Sequence, residues 1–319
     1  MKSLYDHLCR YDADAWIETV DLLAPNVADV DREATRIWFA FYPLKLAQAL
    51  ADAGTVADRL ALARKLVLMG RWGLDERIDS SHAFLYGHRY WPQVKAAIEQ
   101  HDAAAAIPSQ LGALITHVAE AASVTARVDR ELVLGMAAIG LMTLRQVGVQ
   151  AFAAAPGRVT LDDRTRSQSP EAILKARAKD DFQGVFGFMR GIRKQWTVTF
   201  DEHDPTARFT AIQAQDLATA AQSDKREYRS KDPRCIPNEG PIPVECRAAS
   251  CGTCWIGVIG GAEKLSPVEP HEAKRMQVFG YQNLEVGTRP LIRLACQARA
   301  EGAVSIVIPS WNGIIGRLA

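Results

Sequence analysis

Residues 243–254 read PVECRAASCGTC, and three of the chain's six cysteines fall within that stretch. Cys246, Cys251 and Cys254 are spaced C-x4-C-x2-C, and a fourth, Cys296, follows after 41 intervening residues. Between the first three lie Arg247, Ala248, Ala249, Ser250, Gly252 and Thr253. Side chains mostly this small let the backbone run close to whatever the sulfurs surround, with amide N–H groups free to point at sulfur. One loop thus wraps three donors round one side of a centre, and a distant element supplies the fourth. That convergence is what a compact inorganic core asks of its thiolates.

The spacing is that of a plant-type [2Fe–2S] cluster. A structural zinc ion is usually held by two short-spaced cysteine pairs, which the isolated Cys296 does not supply. A Rieske centre needs two histidines, for which no candidates lie close to these cysteines, and a [4Fe–4S] centre usually shows a tighter C-x2-C-x2-C run. Clustered free thiols of a core are the bland alternative, set against a glycine-bearing loop. The expected cluster ligands are Cys246, Cys251, Cys254 and Cys296. Cys9 and Cys235 receive no role, Cys235 being read as a solvent-facing loop residue. Trp255 is read first as a core residue of the following strand and second as a shield or docking residue for the cluster.

Working outward, WTVTF (196–200) and ARFTAIQ (207–213) alternate with period two and flank turn residues, which predicts a hairpin. DLATAAQ (216–222) predicts a short helix, IGVIGG (256–261) a strand, EPHEAKRM (269–276) a helix, and LIRLAC (291–296) and AVSIVIP (303–309) strands. The expected order is β-β-α, cysteine loop, β, α, β, β: a small mixed sheet with one principal helix across it. Cys296 is expected at the end of a strand.

PVECRAASCGTC is similar to the cluster loop of plant-type and related [2Fe–2S] ferredoxins, and the resemblance covers about residues 195–310. FTAIQAQDLATAAQ looks like the strand and helix start before that loop, WIGVIGG like the strand after it, and LIRLACQA like the segment bearing the fourth ligand. The resemblance implies the β-grasp fold and a [2Fe–2S] cluster on Cys246, Cys251, Cys254 and Cys296. Residues 223–242 are longer than the equivalent connection in that family, as is the gap to Cys296. The family's soluble carriers tend to be acidic, whereas Lys194 to Ala319 holds 15 Lys and Arg against 14 Asp and Glu.

The first 150 or so residues read as helices and have no counterpart in that family. Asp29 or Asp31 is expected to cap a helix that Pro43 kinks or splits and that stops near Gly54. Further helices are expected at 56–69, 92–106, 108–127 and 129–147, the last apolar on nearly all sides and so the buried centre of a bundle. His82, His88 and His117 are read as core histidines before any flat-cofactor pocket. Ser169 and Pro170 start a short helix, and GVFGFMRG (184–191) is read as a hinge or docking strip. The expected domains are an all-α bundle at 1–155, a linker with a short helix at 156–193, and the ferredoxin-type domain at 194–319.

The chain has 319 residues, 48% of them hydrophobic, and its 38 Lys and Arg nearly cancel 37 Asp and Glu. That balance speaks for a soluble globular protein and against binding nucleic acid through phosphate neutralisation. The longest apolar run, Leu132 to Leu144, is shorter than the roughly 20 residues a membrane span needs. MKSLYDHLCR shows no signal-peptide pattern, so a cytoplasmic protein is expected. The resemblance implies a one-electron carrier between a reductase and an oxidase, performing no bond-making chemistry of its own. The helical region would dock a partner or make a homodimer. Two alternatives stand beside it: a module feeding electrons to a redox enzyme whose helical domain binds a substrate or second cofactor, and a redox-responsive interaction protein.

Overall fold

A computed structural model describes residues 1–104, 108–179, 194–281 and 285–312; the expected hinge at 184–191 lies outside them. Contacts divide the chain into two units, Met1–Gln48 with Gly73–Leu174, and Ala49–Trp72 with Lys175–Ala319.

The helices in the first half of the chain are α1 (Lys2–Leu8), α2 (Ala13–Leu23), α3 (Asp29–Phe41), α4 (Leu44–Asp52) and α5 (Val56–Lys65). A two-residue strand β1 (Met69–Gly70) follows, then α6 (Trp91–Ala104), α7 (Leu111–Ala126), α8 (Glu131–Ala154), α9 (Asp163–Ser167) and α10 (Pro170–Ala178). Pro43 falls between α3 and α4 and splits them, because it has no N–H to continue the ladder. The capping expectation is corrected. Ala28 occupies the N-cap of α3 without a side-chain bond. Asp31 lies inside the helix, where its buried carboxylate accepts the N–H groups of Tyr86 (2.7 Å) and Gly87 (2.6 Å).

The first unit holds no strand among its described residues. Its centre is α8, buried almost continuously from Val133 to Leu144. This helix runs seven residues past the expected end at 147 and bends at Gly148, whose φ of 81° leaves the helical region. By length and composition α8 could cross a bilayer, but 67% of its most apolar window is buried inside the protein. His82 and His88 lie buried in the same unit, Nδ1 to Nδ1 at 2.8 Å, with Trp91 against His82. His117 has the ring of His101 as its neighbour.

In the second unit the expected order of elements is found. It comprises β2 (Gln195–Thr199), β3 (Arg208–Ile212), α11 (Leu217–Ala221), the cysteine loop, β4 (Trp255–Gly260), α12 (Pro270–Val278), β5 (Ile292–Leu294) and β6 (Val304–Val307). The five longer strands form one mixed sheet in the order β3-β2-β6-β4-β5. β2 runs parallel to β6, with Val198 opposite Val304, and the other pairs are antiparallel. Alternation sets the faces of the hairpin: Trp196, Val198, Phe209 and Ala211 are buried, while Arg208 and Thr210 are exposed. β4 is buried along its length, as a strand covered on both faces must be. A second small sheet pairs β1 with β7 (Trp311–Asn312).

Candidate functional site

The cysteine loop lies in the connection from α11 to β4, and between Cys246 and Cys254 its conformation is left-handed at three points. Arg247 (φ 53°), Ala249 (φ 56°) and Gly252 (φ 68°) turn the chain back on itself. At Gly252 a side chain would also collide with the Phe279 ring, 2.7 Å from where its Cβ would stand. The turning brings three amides onto one sulfur. Cys246 Sγ accepts from Ala248 N (3.4 Å), Ser250 N (3.2 Å) and Cys251 N (3.3 Å). Thr253 steadies the base of the loop, its hydroxyl accepting from Glu245 N and meeting Cys251 Sγ, both at 3.1 Å.

Cys254 and Cys296 are brought together by backbone. The Cys254 carbonyl accepts from Ala295 N at 2.8 Å. Cys296 does not end a strand, which corrects the expectation: β5 stops at Leu294, and Cys296 sits in the turn that follows. That turn is strapped from two more directions. Leu217 N and Ala218 N of α11 donate to the carbonyls of Ala298 and Ala295, and Leu294 N donates to Glu272 of α12. Glu272 in turn grips Arg293 with two hydrogen bonds of 2.9 and 2.8 Å. Helix and strand therefore present the fourth thiol from a fixed position.

The four thiols influence one another as two couples, Cys246 with Cys251 and Cys254 with Cys296. Among the described residues no three Cys, His, Asp or Glu side chains converge as a single-ion site requires. The electrostatics favour anionic sulfur at Cys246 and Cys296 and oppose it at Cys254. Cys296 is held down to about 6, chiefly by the Cys254 thiol, with Gln297 and the Ala249 amide assisting against burial and Asp216. Its partner Cys254 is pushed well above the usual thiol value, by Cys296 first and burial second. Burial works against the Cys246 thiolate, yet the amides of Ala248, Cys251 and Ser250 together with the Cys251 thiol lower its pKa. A nest of N–H groups around paired sulfurs fits a core carrying negative sulfur on several sides.

Cys235 is buried, contrary to the solvent-facing reading. Its thiol donates to the Pro241 carbonyl at 3.4 Å, and burial pushes its pKa up to about 12. Trp255 is buried on β4, with its ring against Phe279 and Tyr281. The insertion at 223–242 closes on the loop through Glu239, which pairs with Arg247 at 2.7 Å. Arg234 from the same insertion binds Asn312, whose amide donates to the Gly252 carbonyl. Sequence reasoning missed Glu272, Arg293 and His271, whose Nε2 lies 3.1 Å from the Ala248 carbonyl. A lone arginine in the apolar run LIRLAC was the available signal for the ion pair; His271 had none.

Residues 237–301 match the 2Fe-2S iron-sulfur cluster binding domain family. A ferredoxin of Bacillus thermotolerans is 38% identical over 61 residues, which are 19% of this chain and 43% of that protein. The chain thus spans less than half of that relative's length, and no solved structure matches it significantly. The C-terminal part of the chain contains a ferredoxin-type [2Fe–2S] domain.

Proposed function

We propose that the chain is a one-electron carrier with a β-grasp cluster domain, in which Cys246 and Cys251 hold one iron and Cys254 and Cys296 the other. The observation that carries this reading is the convergence of three loop amides on the Cys246 sulfur, with Cys254 tied by its carbonyl to the amide that precedes Cys296. The bound cluster supplies reversible uptake and release of one electron.

The chain's own residues do the rest. The amides of Ala248, Ser250 and Cys251 favour negative charge on the Cys246 sulfur, and Gln297 and Ala249 do so at Cys296. Such donors raise the potential relative to a bare thiolate shell. Trp255, Phe279 and Gly252 close the apolar side, while Cys246 lies at the surface on the side open to a partner. The cluster-bearing unit carries 24 Lys and Arg against 18 Asp and Glu, so the partner face it suits is acidic. The helical unit, with 14 against 19, acts as the adaptor that docks the carrier to its complex or to a second copy.

Purification without oxygen tests the assignment. Two irons and two acid-labile sulfides per chain, with visible bands that bleach on dithionite, are expected. Stoichiometric zinc without those bands would overturn it.

A further inference from the structure

We infer that His271 is a positioning residue for this cluster: its Nε2–H holds the Ala248–Ala249 peptide so that loop amides aim at ligand sulfur, and it thereby sets the midpoint potential. The inference rests on the function proposed above.

His271 lies in the first turn of α12, outside the cysteine loop, with its ring exposed. A carbonyl can only accept, so at 3.1 Å from the Ala248 oxygen Nε2 carries the proton and donates it. The peptide it grips is the pivot of the loop. Arg247 and Ala249, on either side of Ala248, are both non-glycine residues held in the left-handed region. Such conformations persist only where surrounding contacts hold them. The same carbonyl also accepts from the Ser250 hydroxyl at 3.2 Å, a donor from within the loop.

In a planar trans peptide the C=O and N–H point in opposite directions. A donor fastened to the Ala248 oxygen therefore fixes the plane of the Ala248–Ala249 peptide, and with it the backbone on either side. A hydrogen bond to the carbonyl also polarises the amide and strengthens its own donation. The neighbouring amides of Ala248, Ser250 and Cys251 converge on Cys246. One imidazole thus steadies the loop whose amides meet the Cys246 sulfur. The next residue, Glu272, holds Arg293 and the Leu294 amide on the way to Cys296. Two consecutive residues of one helix grip the two sides of the ligand set.

The test uses the full-length holoprotein and the variants His271→Phe and His271→Gln. Phenylalanine fills the space without a donor, and glutamine restores an N–H. Iron per chain and far-UV circular dichroism monitor loading and fold, and a potentiometric titration followed in the visible bands gives the midpoint. In His271→Phe the midpoint is expected to move to more negative values, because weakened N–H donation no longer favours added charge on sulfur. Glutamine is expected to recover most of the shift. A fully loaded His271→Phe protein with an unmoved midpoint overturns the inference alone, as does a glutamine variant shifted as far as phenylalanine. Wild-type protein lacking a two-iron chromophore overturns the proposed function and this inference with it.

Discussion

Glu272 and Arg293 form a two-pronged ion pair, 2.8 Å at its shorter contact, with both side chains sealed from solvent. Arg293 also donates to the Ser266 carbonyl, and the Glu272 carboxylate takes the Leu294 amide as well. Each charge is therefore satisfied by more than its partner. The pair locks α12 to β5 two residues before the turn that presents Cys296. Its worth lies in geometry more than in net energy, because desolvation offsets most of the attraction between buried charges.

Removing either partner leaves the other charge buried alone. Glu272→Ala and Arg293→Ala are each expected to lose about 3–5 kcal/mol of stability. Replacing both with apolar residues of similar volume should cost less than either single change. Urea denaturation of the three holoproteins, followed by circular dichroism, measures this; a double variant weaker than both singles would contradict it.

Gly252 is constrained twice, by a φ of 68° and by the Phe279 ring. A Gly252→Ala substitution is expected to destabilise the loop by about 1–3 kcal/mol. Because the strain falls between Cys251 and Cys254, the purified protein should also hold less iron per chain. Normal iron content and an unchanged melting temperature would refute the constraint.

The cysteines should separate into two classes. Serine at Cys246, Cys251, Cys254 or Cys296 is expected to abolish or strongly reduce the visible bands. Cys235→Ser should keep them, since its buried thiol bonds to the Pro241 carbonyl within its own insertion and a hydroxyl can do the same. Absorbance per chain after anaerobic purification decides between the classes.

His82 is fully buried, and burial first, then the neighbouring His88, holds its pKa well below 6.5. In the folded protein it stays neutral, while in the unfolded chain it takes up a proton below that pH. The unfolded state then binds more protons, so stability falls as pH drops below 6.5, by up to about 1.4 kcal/mol per pH unit for this group. Denaturation between pH 7.5 and about 5.5 should show a shallower slope in His82→Phe than in the wild type. Parallel slopes would remove His82 from the acid sensitivity.

Much of the second unit was legible because its signals are local. Alternation in WTVTF and ARFTAIQ, the glycines of IGVIGG and the proline before HEAKRM each act within a few residues, and the matching elements form there. Helix limits were less legible. Asp31 looked like a cap because only its neighbours in sequence were visible, whereas its carboxylate serves Tyr86 and Gly87 more than fifty positions away. Cys235 looked exposed because polar residues flank it, yet burial follows from what packs above a side chain. Met69 and Gly70 pair with Asn312 and Trp311, a contact that no local pattern announces.

By itself the amino-acid order determined which four thiols could act together and what kind of core suits their spacing, because ligand chemistry is written in residue type and interval. Only the tertiary structure decided how they are paired, which amides face them, and that His271 and Glu272 brace the two sides of the set. The amides reach sulfur through left-handed turns within the loop, and the braces from His271 and Glu272 join residues about twenty positions apart; both exist only once the chain has packed.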